Sequence, residues 1–128
     1  MSTTQTVHEQ YWPAFYGNIE EITNKNTNYR RVIATTHTMQ LVVMSLSPKQ
    51  EIGLEIHPYT SQFIRVESGL GILKMKDHTY ALAEGFAILV PPNTEHNVIN
   101  TSSNLPLRLY TIYSPPNHPL GKVDVIKS

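Results

Sequence analysis

From Arg31 onward the chain is a succession of short apolar or β-branched runs, broken by turn-forming residues about every 8–12 positions. The runs are Val32–Thr36, Gln40–Leu46, Gly53–His57, Gln62–Glu67, Ile72–Met75, Tyr80–Ala83, Phe86–Val90, Asn97–Asn100 and Leu107–Tyr113. His37-Thr38, Ser47–Gln50, Gly69-Leu70-Gly71, Lys76–His78 and Pro91-Pro92 separate several of them. A helix needs a 3.6-residue period held over roughly ten residues or more, and no such period competes after residue 30. Runs this short bury their apolar side chains by pairing with one another, so the pattern predicts an all-β sandwich or barrel.

At 128 residues the chain reads as one domain (1–128), with an N-terminal arm over 1–28, a barrel core over 31–115 and a tail over 116–128 that leads away as a loose end. The arm is polar, ends in the loop-forming run Asn24–Asn28, and holds one short helical stretch around Ile19–Thr23. Tyr11, Trp12, Phe15 and Tyr16 make it too aromatic for a solvated tail, and they are expected to pack on the barrel or on a second subunit. Sheet edges of an open barrel invite pairing, so a homodimer is expected, with Tyr11-Trp12 as the contact.

Charge and composition exclude several partners. Ten basic residues balance ten acidic ones, and the pair Arg30-Arg31 is isolated, so nothing here grips a phosphate backbone or an anionic membrane. No run approaches the roughly 18 apolar residues of a membrane helix. The segment Met1–Phe15 has neither a basic start nor an apolar run, so it does not read as a signal peptide and a cytoplasmic location is expected. There is no cysteine, so a metal would sit on nitrogen and oxygen donors.

Such donors are present. Glu55 and His57 lie two apart and leave the same face of a strand. Gln62 follows the Pro58-Tyr59 turn on the face of Ile64 and Val66, and His96 opens a strand on the face of Val98 and Asn100. One carboxylate, two imidazoles and an amide form a ligand set for a borderline divalent cation, and two histidines with one carboxylate is the grouping of non-haem iron sites. The alternative is a polar pocket closed by hydrogen bonds alone, in which a buried Glu55 needs a partner to offset its desolvation, one that the histidine pair supplies by charging. His8, His37, His78 and His118 read as structural or solvent-facing. Tyr59 and Tyr110 are candidate substrate contacts, and Tyr113 reaches a substrate or fills the barrel.

Two segments resemble the motifs of the cupin superfamily. The second motif of that family is matched in spacing by Gly85, Pro91, Asn93, His96 and Asn100, with Asn93 standing where the family has Gly. Asn is the non-glycine residue most tolerant of positive φ, so the turn is expected to survive. The first motif is matched by Lys49, Glu55, His57, Gln62 and Gly69, where Lys49, Glu55 and Gln62 replace Gly, His and Glu. The negative charge is thereby relocated within the ligand set. The segments Glu55-Ile56-His57-Pro58 and Gln62-Phe63-Ile64 are similar to those of small bacterial cupins described as sugar-isomerase-like, or phosphomannose isomerase-like.

The resemblance, over about residues 31–115, implies a double-stranded β-helix (jelly-roll) barrel, frequent dimerisation, and a divalent ion (Mn, Fe, Ni or Zn) in the barrel mouth on Glu55, His57, Gln62 and His96. It names no single reaction, because this fold hosts many. The leading expectation is Lewis-acid catalysis on a small organic molecule, of isomerase, lyase or dioxygenase type, with Glu55 as the catalytic base. The alternatives are a non-catalytic module that binds a sugar or small acid, and an interaction protein with a residual polar site.

Overall fold

A computed structural model describes residues 14–128. Among these residues a short helix, α1 (Ile19–Lys25), precedes nine strands. These are β1 (Arg30–Thr35), β2 (Gln40–Leu46), β3 (Ser61–Ser68), β4 (Gly71–Met75), β5 (Thr79–Leu82), β6 (Ala87–Val90), β7 (His96–Asn100), β8 (Leu107–Ser114) and β9 (Val123–Asp124). A six-stranded sheet, ordered β6-β3-β8-β2-β1-β9, faces a three-stranded sheet, ordered β5-β4-β7. All the strand pairings are antiparallel.

Alternation explains why the sheets face each other. In β8, Leu107, Leu109, Thr111 and Tyr113 point inward and are buried, whereas Arg108, Tyr110 and Ile112 point away. The interior cluster joins Val32, Val42, Met44 and Leu46 to Ile64, Val66, Leu107, Leu109 and Tyr113, and across to Leu73, Leu82 and Val98 of the small sheet. Each such aliphatic side chain contributes about 1.5–3 kcal/mol on burial. A second, smaller cluster lies on the outer face of the large sheet, where Ile22 of α1 and Phe15 cover Ile33, Ala34, Val43 and Tyr110. Phe15 therefore packs on the barrel as expected, while Tyr16 is exposed. Tyr11 and Trp12 lie outside the described residues.

The helix runs to Lys25, two residues past the expected stretch. Asn18 accepts from the Glu21 N–H as its N-cap, and Lys25 pairs with Glu21 one turn back at 2.8 Å. The expected strand over Gly53–His57 is replaced by an extended segment beside β7 that makes two single bridges, Glu51 with Ile99 and Glu55 with His96. The break falls at Gly53, where φ is +107° and the backbone N–H turns to the Asn97 side chain at 2.8 Å. The tail is less loose than expected, because β9 pairs with β1 (Arg30 opposite Asp124). Among the described residues, no helix is long and apolar enough to cross a membrane.

Candidate metal centre

Three elements deliver the cluster. Glu55 and His96 are opposite one another and exchange both backbone hydrogen bonds at 2.9 Å, so their side chains leave the same face side by side. His57 is held by its carbonyl, which accepts the Asn93 N–H at 2.7 Å. Asn93 has φ +59°, so the turn keeps the left-handed geometry with Asn in place of Gly. Lys49 also adopts positive φ, at 65°, at the position where the first motif carries its first Gly. Gln62 enters from β3, opposite Tyr113 of β8 and Val90 of β6.

Ligand atoms of Glu55, His57 and His96 lie within 4.8 Å of one another. Glu55 Oε1 is 3.4 Å from His57 Nε2, which is buried and makes no hydrogen bond among the described residues. Gln62 Oε1 is 3.0 Å from His96 Nε2. His96 Nδ1 donates to the Thr94 carbonyl at 2.9 Å, which leaves the lone pair on Nε2 and aimed inward. Gln62 Nε2 donates to Thr111 Oγ1 at 3.0 Å, which turns the carbonyl oxygen toward the histidine.

This arrangement fits a divalent cation. An orphaned buried imidazole nitrogen normally costs a fold about 1–3 kcal/mol. Donor atoms that share a cation at about 2.1 Å stand about 3.0 Å apart at an octahedral angle and about 3.4 Å apart at a tetrahedral one. The two close contacts, 3.0 and 3.4 Å, are of that size.

The surroundings tune the site. Tyr113 stands edge-on to His57, with ring centroids 5.7 Å apart, and burial, then the nearby Glu55 charge, push its phenol above the ordinary range. It therefore stays a protonated hydrogen-bond donor. His118 stands edge-on to Tyr113 at 5.2 Å, and burial, then Arg30 and Lys122, lower its pKa to about 4. His118 was expected to face solvent, but it is half-buried, and its carbonyl accepts from the buried Gln40 side chain at 2.7 Å, tying the tail to β2. His37 and His78 are exposed as expected, with His78 stacked on Tyr80, and His8 lies outside the described residues.

The structure thus brings Glu55, His57, Gln62 and His96 together. It does not bring Tyr59 or Tyr110 to them. Tyr59 is 87% exposed on its turn, and Tyr110 lies on the outer face of the large sheet against Phe63 and the α1 cluster. Odd-numbered positions of β8 face inward and even-numbered ones outward, which selects Tyr113 and rejects Tyr110. Sequence reasoning missed Thr111, although the same alternation with Leu107 and Leu109 places it inside. It also missed the Thr94 carbonyl, a backbone group that no side-chain pattern announces.

A cupin domain model matches residues 42–113, more than half of the chain. The chain belongs to the cupin family. An uncharacterized protein of Acanthamoeba polyphaga mimivirus is 50% identical over 111 residues, covering 84% of this chain and 69% of that protein. The uncharacterized protein YrkC of Bacillus subtilis is 47% identical over 120 residues, covering 89% of this chain and 64% of that protein. The chain thus spans about two thirds of the length of these two relatives. A Bacillus halodurans protein of known crystal structure superposes with a TM-score of 0.87 at 41% identity, covering 91% of this cupin and 93% of that chain.

Proposed function

We propose that this cupin is a metal-dependent enzyme acting on a small organic molecule, through isomerase, lyase or dioxygenase chemistry in the barrel mouth. The observation that carries this reading is the convergence of Glu55, His57 and His96 on one point, with a buried His57 nitrogen left without a hydrogen bond. Gln62 supplies a neutral fourth donor from β3. A bound divalent cation supplies Lewis acidity to oxygen atoms of the ligand.

This chain's own residues supply the rest. Thr94 and Thr111 hold His96 and Gln62 in orientation. Glu55 is the sole carboxylate of the cluster and its side chain is 26% exposed, so it is placed to accept a proton from a ligand in the mouth. Tyr113 keeps its proton and offers a donor beside His57. The interior cluster beneath keeps bulk water from entering behind the ligand.

Elemental analysis of protein purified without a histidine tag, followed by titration with Mn, Fe, Ni and Zn salts, tests the reading. About one equivalent per chain is expected. No bound metal and no uptake would overturn it. A second reading, a non-catalytic binding module for a sugar or small acid, draws on the Gln62–His96 contact, which with a shared proton closes the site without any metal. Ligand-induced thermal shifts with no product on long incubation would favour it.

Membership of the sugar-isomerase-like subgroup, a cytoplasmic location and a homodimer belong to the same proposal. The dimer draws support from the edges β5 and β6, unpaired among the described residues, which flank a groove of about 770 Å³ bearing exposed Tyr80, Phe86 and Leu89. Light scattering at micromolar concentration, where a dimer mass is expected and a monomer contradicts it, decides the point.

A further inference from the structure

The turn Pro91–Thr94, between β6 and β7, holds both histidines of the metal centre. The Asn93 N–H donates to the His57 carbonyl at 2.7 Å, and the Thr94 carbonyl accepts from His96 Nδ1 at 2.9 Å. Thr94 Oγ1 braces the turn from within by donating to the Pro92 carbonyl at 3.3 Å. Pro91, Pro92 and Asn93 are nonetheless exposed, and Thr94 is half-buried.

Pro91 and Thr94 also line the groove of about 770 Å³ between the edges of β5 and β6. So does Met75, which stands opposite His96 in the pairing of β4 with β7. Groove and metal centre are thus joined by backbone contacts, through one turn and through the Met75–His96 pair.

The chemistry of this surface fits a second copy of the chain. No charged side chain lines the groove, although the chain carries ten acidic and ten basic residues. Asp77, Glu84 and Glu95 stand exposed in the connections before β5, β6 and β7 instead. A two-fold contact sets a surface against its own copy, so a charged patch meets its like and a neutral one does not. Soluble proteins blunt exposed sheet edges with charge or proline, and β5 (Thr79-Tyr80-Ala81-Leu82) and β6 (Ala87-Ile88-Leu89-Val90) carry neither. Phe86 and Leu89, both exposed, supply apolar anchors at the centre of such a contact.

We propose that a second copy seated on the β5–β6 groove tightens the metal site by ordering the Pro91–Thr94 turn, so that dimerisation and metal binding are linked. This rests on the metal and dimer readings above and adds the coupling between them. A partner against Pro91 and Thr94 shields the two hydrogen bonds from water and restricts the turn before a metal arrives. Less ordering is then left for metal binding to bear. The coupling is reciprocal, so the factor that dimerisation adds to metal affinity at each site is returned by the metal to the dimer.

Chelator competition with Mn or Zn gives the metal affinity and sedimentation gives the mass, for the unaltered protein and for Leu89→Lys, which puts a charge in the groove and removes no donor. Leu89→Lys is expected to be monomeric and to bind metal about tenfold more weakly. Saturating metal is expected to lower the dimer dissociation constant of the unaltered protein about a hundredfold, from about tenfold at each of two sites. Leu120→Lys, exposed on the tail, should change neither quantity; loss of both there would overturn the assignment of the groove. A monomeric unaltered protein, a Leu89→Lys protein that stays dimeric, or a monomeric one with full metal affinity would each overturn the proposal. Should Leu89→Lys fail to fold, Phe86→Lys repeats the test from the residue before β6. Hydrogen exchange keeps this distinct from a failure of the metal reading. In protein that takes up no metal, the Asn93 amide is still expected to exchange more slowly in the dimer than in Leu89→Lys, and equal rates would overturn the coupling.

Discussion

His96 and Gln62 face each other across 3.0 Å with Nε2 opposite Oε1, while the other ring nitrogen donates to the Thr94 carbonyl. Two lone-pair-bearing atoms so close are stable only with a proton or a cation shared between them. The contact therefore behaves as a lock whose strength depends on the groups behind it. Thr111, which takes the Gln62 N–H, is one of these. Thr111→Val, nearly the same in shape, is expected to lower metal affinity about 10- to 100-fold, read by competitive chelator titration. An unchanged affinity would remove Gln62 from the ligand set.

Metal binding to the folded chain alone stabilises it by mass action. At free metal about a hundred times Kd the gain is about 2.7 kcal/mol, seen as a rise in Tm that a chelator reverses. His57→Ala and Glu55→Ala are each expected to abolish the rise. Persistence of the full shift in both variants would place the metal elsewhere.

His118 gives stability a pH dependence of known sign. Its pKa is lowered from 6.5 unfolded to about 4 folded, so between those values the unfolded chain binds more protons and stability falls as pH falls. Discounted for its partial exposure, the effect amounts to about 1 kcal/mol. Denaturant midpoints at pH 4.5 and 7 are expected to lie closer together in His118→Gln than in the unaltered protein. The difference between the two proteins removes the background of titrating carboxylates.

Asn100 is fully buried, and its Nδ2 lies 3.1, 3.0 and 2.9 Å from the carbonyls of Leu46, Ser47 and Leu105. Its Oδ1 accepts the Ser102 N–H at 2.9 Å. The last residue of the second motif thus ties the end of β2 to the β7–β8 loop. Asn100→Ala leaves these groups unpaired and is expected to cost about 2–4 kcal/mol in denaturant unfolding. The metal affinity of the molecules that remain folded should be unchanged.

Asn93 holds a left-handed conformation while its N–H secures His57. Asn93→Gly is expected to be neutral or mildly stabilising. Asn93→Ala should cost about 1 kcal/mol in unfolding experiments, and its weaker hold on His57 should lower metal affinity as well.

The strands from β1 to β8 were legible because each carries an apolar or alternating run closed by a turn residue, and that signal is local. The Glu55–His57 segment was misread as a strand, because its pairing is interrupted at Gly53 by the Asn97 side chain, 44 residues away in sequence. β9 was invisible for a similar reason. Val123–Asp124 is too short to signal a strand, and it becomes one only because Arg30 and the β1 backbone stand beside it.

The amino-acid order alone determined the all-β architecture and the inward faces of β3, β7 and β8, with the donor types they and the Glu55–His57 segment carry. Those follow from side-chain alternation, which a chain carries in its own covalent geometry. Only the tertiary structure decided that the four donors meet, that Tyr113 rather than Tyr59 or Tyr110 stands beside them, and that the His118 backbone is tied to Gln40 with its ring against Tyr113. These are contacts between residues far apart in the chain, and folding brings them together through the pairing of backbones whose partners no local pattern names.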